Sequence, residues 1–226
     1  MKTWLISFVL ATVSMVASAQ DEPEYRMELG AGAGLLTYVG DFNSNLFKGM
    51  QPWGTAIARY RFNPRMSAAL HVGTGKVKGS TDNVTTWYPI ERYEFNHHLT
   101  EASLRFEYNF WAYGTGKEYR GARRFTPFIA IGLGAAFYGG ANSGATLSLP
   151  IGAGVKYKIA ERLNLIADWT MHISLSDKID GRSDVYGIKS SGIFKNTDCY
   201  SIFQIGLSYD LWTKCKIGNW IINSLD

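Results

Sequence analysis

The chain has 226 residues, 46% of them hydrophobic, and a formal net charge of +4. This length and apolar content suit one folded domain and exclude a disordered chain. The basic residues are scattered, so the continuous stripe of a nucleic-acid binder is missing. With 24 glycines, 14% aromatics and 6 prolines, the composition favours strands over helices.

Residues 1–19 read as a signal peptide. Lys2 gives the positive start, Trp4 to Val16 the apolar run, and Ala17-Ser18-Ala19 the small-residue cleavage site before Gln20. The apolar stretch falls short of the ~20 residues a spanning helix needs. The absence of a cysteine just after the cleavage site argues against a lipid anchor. No long apolar run follows, so the mature chain, residues 20–226, is either soluble or crosses a membrane with strands.

From there, alternation with period two dominates. In Tyr25 to Val39 the odd positions Tyr25, Met27, Leu29, Ala31, Ala33, Leu35 and Val39 are apolar, and the even ones begin Arg26, Glu28, Gly30, Gly32, Gly34. In Ala56 to Phe62, Ala56, Ala58, Tyr60 and Phe62 oppose Arg59 and Arg61. In Met66 to Thr74, Leu70 and Val72 oppose Ser67 and His71. Ala102 to Phe110 is the clearest case, with Ala102, Leu104, Phe106, Tyr108 and Phe110 on one face and Ser103, Arg105, Glu107 and Asn109 on the other. The pattern returns over 125–138, 147–159, 163–175 and 199–211. The sum is about eight strands, most near the ~9–11 residues that cross a bilayer when tilted.

The connections alternate as well. Asn63-Pro64-Arg65 and Ala160-Glu161-Arg162 are tight turns, whereas 41–51, 77–98, 139–146 and 176–198 are mostly longer and polar. Short turns belong on the periplasmic side and long loops outside. Segment 111–124 is a periplasmic connection of moderate length. Tyr60 to Met66 echoes Tyr157 to Leu163, one hairpin design used twice.

A soluble lipocalin-like barrel would hide its apolar face and expose its polar one. Here bulky apolar residues share one face, and glycines and charges share the other. A narrow eight-stranded interior takes small and paired charged residues, so the bulky face is assigned to lipid. The expected lumen network joins Arg59, Arg61, Arg105, Lys156 and Lys158 to Glu101, Glu107 and Asp168, because buried charges need partners. Tyr60, Phe62, Tyr108, Phe110, Tyr209 and Trp212 suit an interfacial girdle. Eight strands leave no aqueous channel, which excludes bulk transport.

Catalysis finds little support. His172 and Asp168 lie ~13 Å apart along one strand, and His97 and His98 have no serine at a useful spacing. Asp177, Asp180 and Asp184 do not follow the EF-hand pattern, and Lys178 and Arg182 oppose a cation there. The Gly-x-Gly runs lack the following helix of a nucleotide site, and Asn83-Val84-Thr85 matches a glycosylation acceptor at chance frequency. No cofactor and no metal site is expected. Cys199 and Cys215 sit ~40 Å apart if 199–211 is a strand, far beyond disulfide reach, so two thiols are expected. Two periplasmic stretches stand out: Lys117, Tyr119, Arg120, Arg123 and Arg124 in the connector, and Trp220 in a tail after the last strand. They read as rim packing against lipid phosphate or as a surface for a periplasmic partner.

Several stretches resemble the PorG-like outer-membrane barrel family of the Bacteroidetes. They are Leu35 to Asn43, Arg59 to Arg65, Lys76 to Ser80, Arg105 to Phe110, Phe125 to Phe128, Pro150 to Arg162 and Asn196 to Ser201, most distinctively Tyr38 to Asn43 and Asp198 to Ser201. The resemblance spans nearly the whole mature chain, with Cys199 where the family often carries Trp. It implies a barrel associated with type IX protein secretion that contacts a periplasmic ring of the export machine, and it brings no catalytic residues. The expectation is therefore an all-β, eight-stranded antiparallel transmembrane barrel in the bacterial outer membrane. Its partners would be outer-membrane lipid and periplasmic ring proteins, with no nucleic acid. A lipid-modifying barrel enzyme and an adhesive barrel with surface-binding loops are the alternatives.

Overall fold

The computed structural model describes residues 23–39, 48–80, 94–116, 121–139, 143–175 and 198–213. They form β1 (Tyr25–Val39), β2 (Gln51–Arg61), β3 (Met66–Ser80), β4 (Glu94–Asn109), β5 (Phe125–Tyr138), β6 (Gly144–Lys158), β7 (Leu163–Ser174) and β8 (Cys199–Thr213). Each strand pairs antiparallel with the next, and β8 returns to β1 to close an eight-stranded barrel.

Register carries the inside-out pattern around the wall. Leu70 lies opposite Leu104, and Leu104 opposite Leu133. This row points outward, with exposures of 45%, 59% and 71%. One residue along, Arg105 sits between Ala69 and Gly132, and it points inward and is buried. A one-residue slip would exchange these faces, so the alternation itself pins the register. Tyr60, Phe62, Phe110 and Tyr209 are exposed. Tyr60 meets Phe62 edge-on at 5.4 Å and Tyr108 meets Phe110 at 6.0 Å, giving the aromatic edge of the apolar band. The side chain of Trp212 lies outside the described residues.

Glycines and alanines keep the interior narrow. A Cβ on Gly132 would stand 2.2 Å from the Leu104 carbonyl oxygen, and one on Gly73 would stand 2.3 Å from the Trp53 ring. Neither position admits a side chain without moving backbone or a bulky ring.

The strands begin or end a few residues away from the expected bounds, as where β2 starts at Gln51 and β6 at Gly144, and three larger departures shape the lumen and its mouths. The β3–β4 hairpin is longer, since 77–80 and 94–98 continue as paired strand. Val77 and Phe95 are buried there, and burying them favours ladder over loop. Tyr25 and Arg26 trade faces at the start of β1, with Tyr25 buried and Arg26 exposed. Lys158 and Arg162 both approach the Tyr25 ring face, at 5.5 and 5.6 Å, which turns it over the barrel mouth. The third departure is the outer half of the lumen, which is apolar rather than charged.

Candidate functional site

The lumen is built in layers. Nearest the periplasmic turns, Glu28 on β1 lies opposite Arg59 on β2 and Asp210 on β8. Its carboxylate accepts from Arg59, Arg61 and the Ser208 hydroxyl. Arg59 also donates through Nε to Glu107 at 2.7 Å, and Lys156 Nζ donates to the same carboxylate at 2.6 Å. Arg61 lies 3.0 Å from Asp210, and Lys158 donates to Asp210 at 2.5 Å and to Asn164 at 3.0 Å.

One level up, Arg105 lies 3.5 Å from Asp168, whose two oxygens accept from Gln204 at 3.0 and 3.1 Å. Glu101 accepts from the Tyr200 hydroxyl at 2.6 Å and stands 2.9 Å from His172 Nδ1, while His172 stacks on Tyr200 at 4.7 Å. Both His71 nitrogens, Glu101 Oε1 and Ser148 Oγ have no hydrogen-bond partner among the described residues, so this middle layer is the least satisfied.

All eight residues expected in the network are thus buried in the lumen, together with Glu28 and Asp210. In the inner and middle layers Glu28, Glu101, Glu107, Asp168 and Asp210 match Arg59, Arg61, Arg105, Lys156 and Lys158 in number, while buried Asp198 lies farther out against Tyr38. That balance is what a low-dielectric interior demands, since an uncompensated buried ion costs several kcal/mol. Glu28 and Asp210 stand on the polar faces of their strands, but only closure of β8 onto β1 makes them partners of Arg61.

Above the ions the lumen turns apolar. Leu36, Tyr38, Trp53, Val77, Phe95, Leu99, Tyr138, Tyr200 and Ile202 belong to one buried cluster. Phe95 meets Tyr38 edge-on at 5.2 Å, and the Tyr38 hydroxyl donates to Asp198 at 2.5 Å. Filled by ions below and rings above, this interior offers no route for a solute through its described residues.

One constellation has the spacing of a hydrolase. The Thr170 hydroxyl lies 3.0 Å from His172 Nε2, and Glu101 lies beyond His172 Nδ1. It joins β4 to β7 across the barrel, so local sequence spacing does not show it. All three residues are buried, His172 at 0% exposure, so no substrate reaches the hydroxyl and the nucleophile test fails on access. His172 and Asp168 have different partners.

A model of the family described as "Outer membrane protein beta-barrel domain" matches residues 6–210. The chain belongs to that family. This outer-membrane barrel is also similar in fold to neisserial surface protein A, with a TM-score of 0.50, 13% identity, and 82% of this chain and 97% of that chain covered. Two other solved structures match at lower TM-scores. The N-terminal barrel domain of Pseudomonas aeruginosa OprF scores 0.46 at 14% identity, covering 81% of this chain and 97% of that one. Yersinia pestis Ail, solved in complex with the heparin analogue sucrose octasulfate, scores 0.45 at 10% identity, covering 84% and 99%. No curated protein matches the chain.

On the periplasmic side of this outer-membrane barrel, the β4–β5 connector folds back onto the rim. Tyr113 N–H donates to the Pro64 carbonyl at 3.0 Å, and Arg123 N–H to the Ala112 carbonyl at 2.7 Å. Thr115 donates to Glu24 through N–H at 3.1 Å and through its hydroxyl at 2.7 Å. Gly116 and Gly121 take φ of +79° and +62°, left-handed backbone that glycine adopts without a Cβ penalty. Tyr113 plugs the mouth. Its hydroxyl donates to Asn164 at 2.8 Å, and Arg61 lies over its ring at 5.3 Å. Burial, reinforced by the carboxylates of Glu28 and Asp210 against the opposing pull of Arg61, pushes the Tyr113 phenol up. The connector leaves Arg123 and Arg124 exposed, Arg123 stacked over Trp111 at 5.1 Å and Arg124 donating to the Thr115 carbonyl at 3.0 Å. Lys117, Tyr119, Arg120 and Trp220, and the aspartates 177, 180 and 184, lie outside the described residues, as does Cys215. Cys199 opens β8.

Proposed function

We propose that this outer-membrane barrel is a non-enzymatic anchor that couples a periplasmic assembly to the membrane. The observation that carries the reading is the β4–β5 connector. Its described residues are bonded to the β2–β3 turn and to Glu24, and they present Trp111, Arg123 and Arg124 at the rim on the side of the short turns. Arginine and tryptophan are enriched at the residues that dominate protein interfaces, and the arginine fork pairs carboxylates. The plugged lumen supports a role other than solute transport, and the sealed Thr170–His172–Glu101 group speaks against a lipid-modifying enzyme. Lys117, Tyr119, Arg120 and Trp220 would extend the same surface. The resemblance of Tyr38 to Asn43 and Asp198 to Ser201 to the PorG-like barrels makes the type IX secretion ring the assembly of choice. Residues 1–19 would be removed on export.

Photo-crosslinkers at positions 123 and 124, compared in intact envelopes with one at Leu133 on the lipid face, test this. A discrete adduct with one periplasmic protein from the rim, absent from Leu133, is the expected result. Adducts with lipid alone from all three sites would sink the proposal. Unchanged acyl chains after incubation with outer-membrane lipid would separate it from the enzyme reading.

A further inference from the structure

The outward face of the β3–β4 hairpin changes chemistry step by step toward its outer tip. Register places Leu70 beside Leu104, Val72 beside Ala102, Thr74 beside Thr100, Lys76 beside His98, and Lys78 beside Asn96. All of these residues are exposed. The order is aliphatic, then hydroxyl, then basic. Thr74 and Thr100 mark the change, their hydroxyls 3.0 Å apart.

Height fixes what the basic step meets. From Phe110 to Thr100 the lipid-facing row of β4 spans ~33 Å along the strand, or ~25 Å of membrane depth at a tilt of ~40°, which is the height of the apolar band of such barrels. Lys76 and His98 therefore stand one step above the hydrocarbon, at the outer headgroups. Beside them β2 presents only Pro52 and Gly54 outward, and space is open around Gly54, so nothing on that strand covers the lysines. Phe137 on β5, opposite Thr100 and exposed, offers a surface for acyl chains just below. Glu94 sits farther out, opposite Ser80 in the last described pair of the ladder.

We propose that Lys76, Lys78 and His98 form a binding site for the phosphates of an outer-leaflet glycolipid, with its acyl chains lying against the apolar row beneath. A lysine on an extended strand swings as a flexible point charge, which suits a phosphate at a membrane surface. The site lies on the opposite side of the membrane from the periplasmic connector and does not depend on the coupling role.

The test uses the full mature chain in mild detergent and measures retention of diphosphoryl lipid A by native mass spectrometry. The same lipid stripped of both phosphates, and inorganic phosphate as competitor, complete the set. Wild type should prefer the phosphorylated lipid by about tenfold or more, and Lys76→Gln with Lys78→Gln should remove most of that preference, the effect expected of two lysines facing anionic lipid. Arg65→Gln with Arg162→Gln, on the periplasmic turns, should leave it within about threefold. Equal binding of the two lipids by wild type overturns the proposal, even without a folded variant. So does an unchanged preference in the lysine double variant whose heat-modifiable migration is normal. A larger loss from the Arg65 and Arg162 pair would move the site to the other leaflet, and displacement by inorganic phosphate would replace a lipid site with one for a soluble anion.

Discussion

The two halves of the lumen solve the same problem with different chemistry. The periplasmic half is filled by carboxylates, guanidinium groups and ammonium groups that share partners, so that Glu107 alone serves Arg59, Lys156 and Ser67. The outer half is filled mainly by aromatic and aliphatic side chains, with the Tyr38 and Tyr200 hydroxyls held by Asp198 and Glu101. An ionic filling is specific but brittle, because removing one member strands the others in a dry interior. An apolar filling loses only volume when one member changes, and it tolerates replacement by a residue of similar size.

The largest expected effect probes the brittle half. Glu107→Leu leaves Arg59 and Lys156 short of a counter-charge and should cost about 3–5 kcal/mol, read from denaturant unfolding in lipid vesicles by tryptophan fluorescence. A cost near that of an ordinary apolar truncation would erase the distinction between the halves. The comparison can also be turned across the wall. Arg105 is accommodated inside, but an arginine at its neighbour Leu104, on the lipid face, should cost about 2–4 kcal/mol if that position lies near the bilayer midplane. The same unfolding assay reads it, and a near-zero cost would undo the face assignment. Tyr113→Phe removes one buried hydrogen bond to Asn164 at the mouth of the ionic half and should cost about 1 kcal/mol. At the gentle end, Leu99→Met in the apolar cluster should cost less than about 1.5 kcal/mol. A greater penalty there would mean that the outer half is as tightly specified as the inner one.

The wall was legible because its signal is local. Ala102 to Phe110 alternates without interruption, and a period of two can be read from one strand in isolation. Much of the lumen was not legible for the complementary reason. Glu28 meets Arg61 together with Asp210, a residue from the last strand, so the triplet exists only once the ends of the sheet are joined. Leu35 and Leu36 are both apolar yet face opposite ways, so the start of the outer cluster leaves no mark in the alternation. Val77 and Phe95 fall in a stretch whose polar neighbours suggest a loop. Tyr113 is a lone aromatic in a connector, and no spacing rule points it into the barrel mouth. Of the expected rim surface, Arg123 and Arg124 are exposed on a folded mount, which composition suggested only as a cluster of positive charge.

Pairing of β8 with β1 also sets the order in which the molecule is completed. The first strand carries an open row of amide and carbonyl groups until the last is delivered, some 175 residues later in the chain. Until then the growing sheet has two sticky margins, and closure over so long a separation is slow relative to neighbouring hairpins. A polypeptide cut short before residue 199 would never lose those margins, and self-association in the aqueous compartment is its natural fate. Delivery to the membrane must therefore keep the thread apart from its own copies until its final segment has docked.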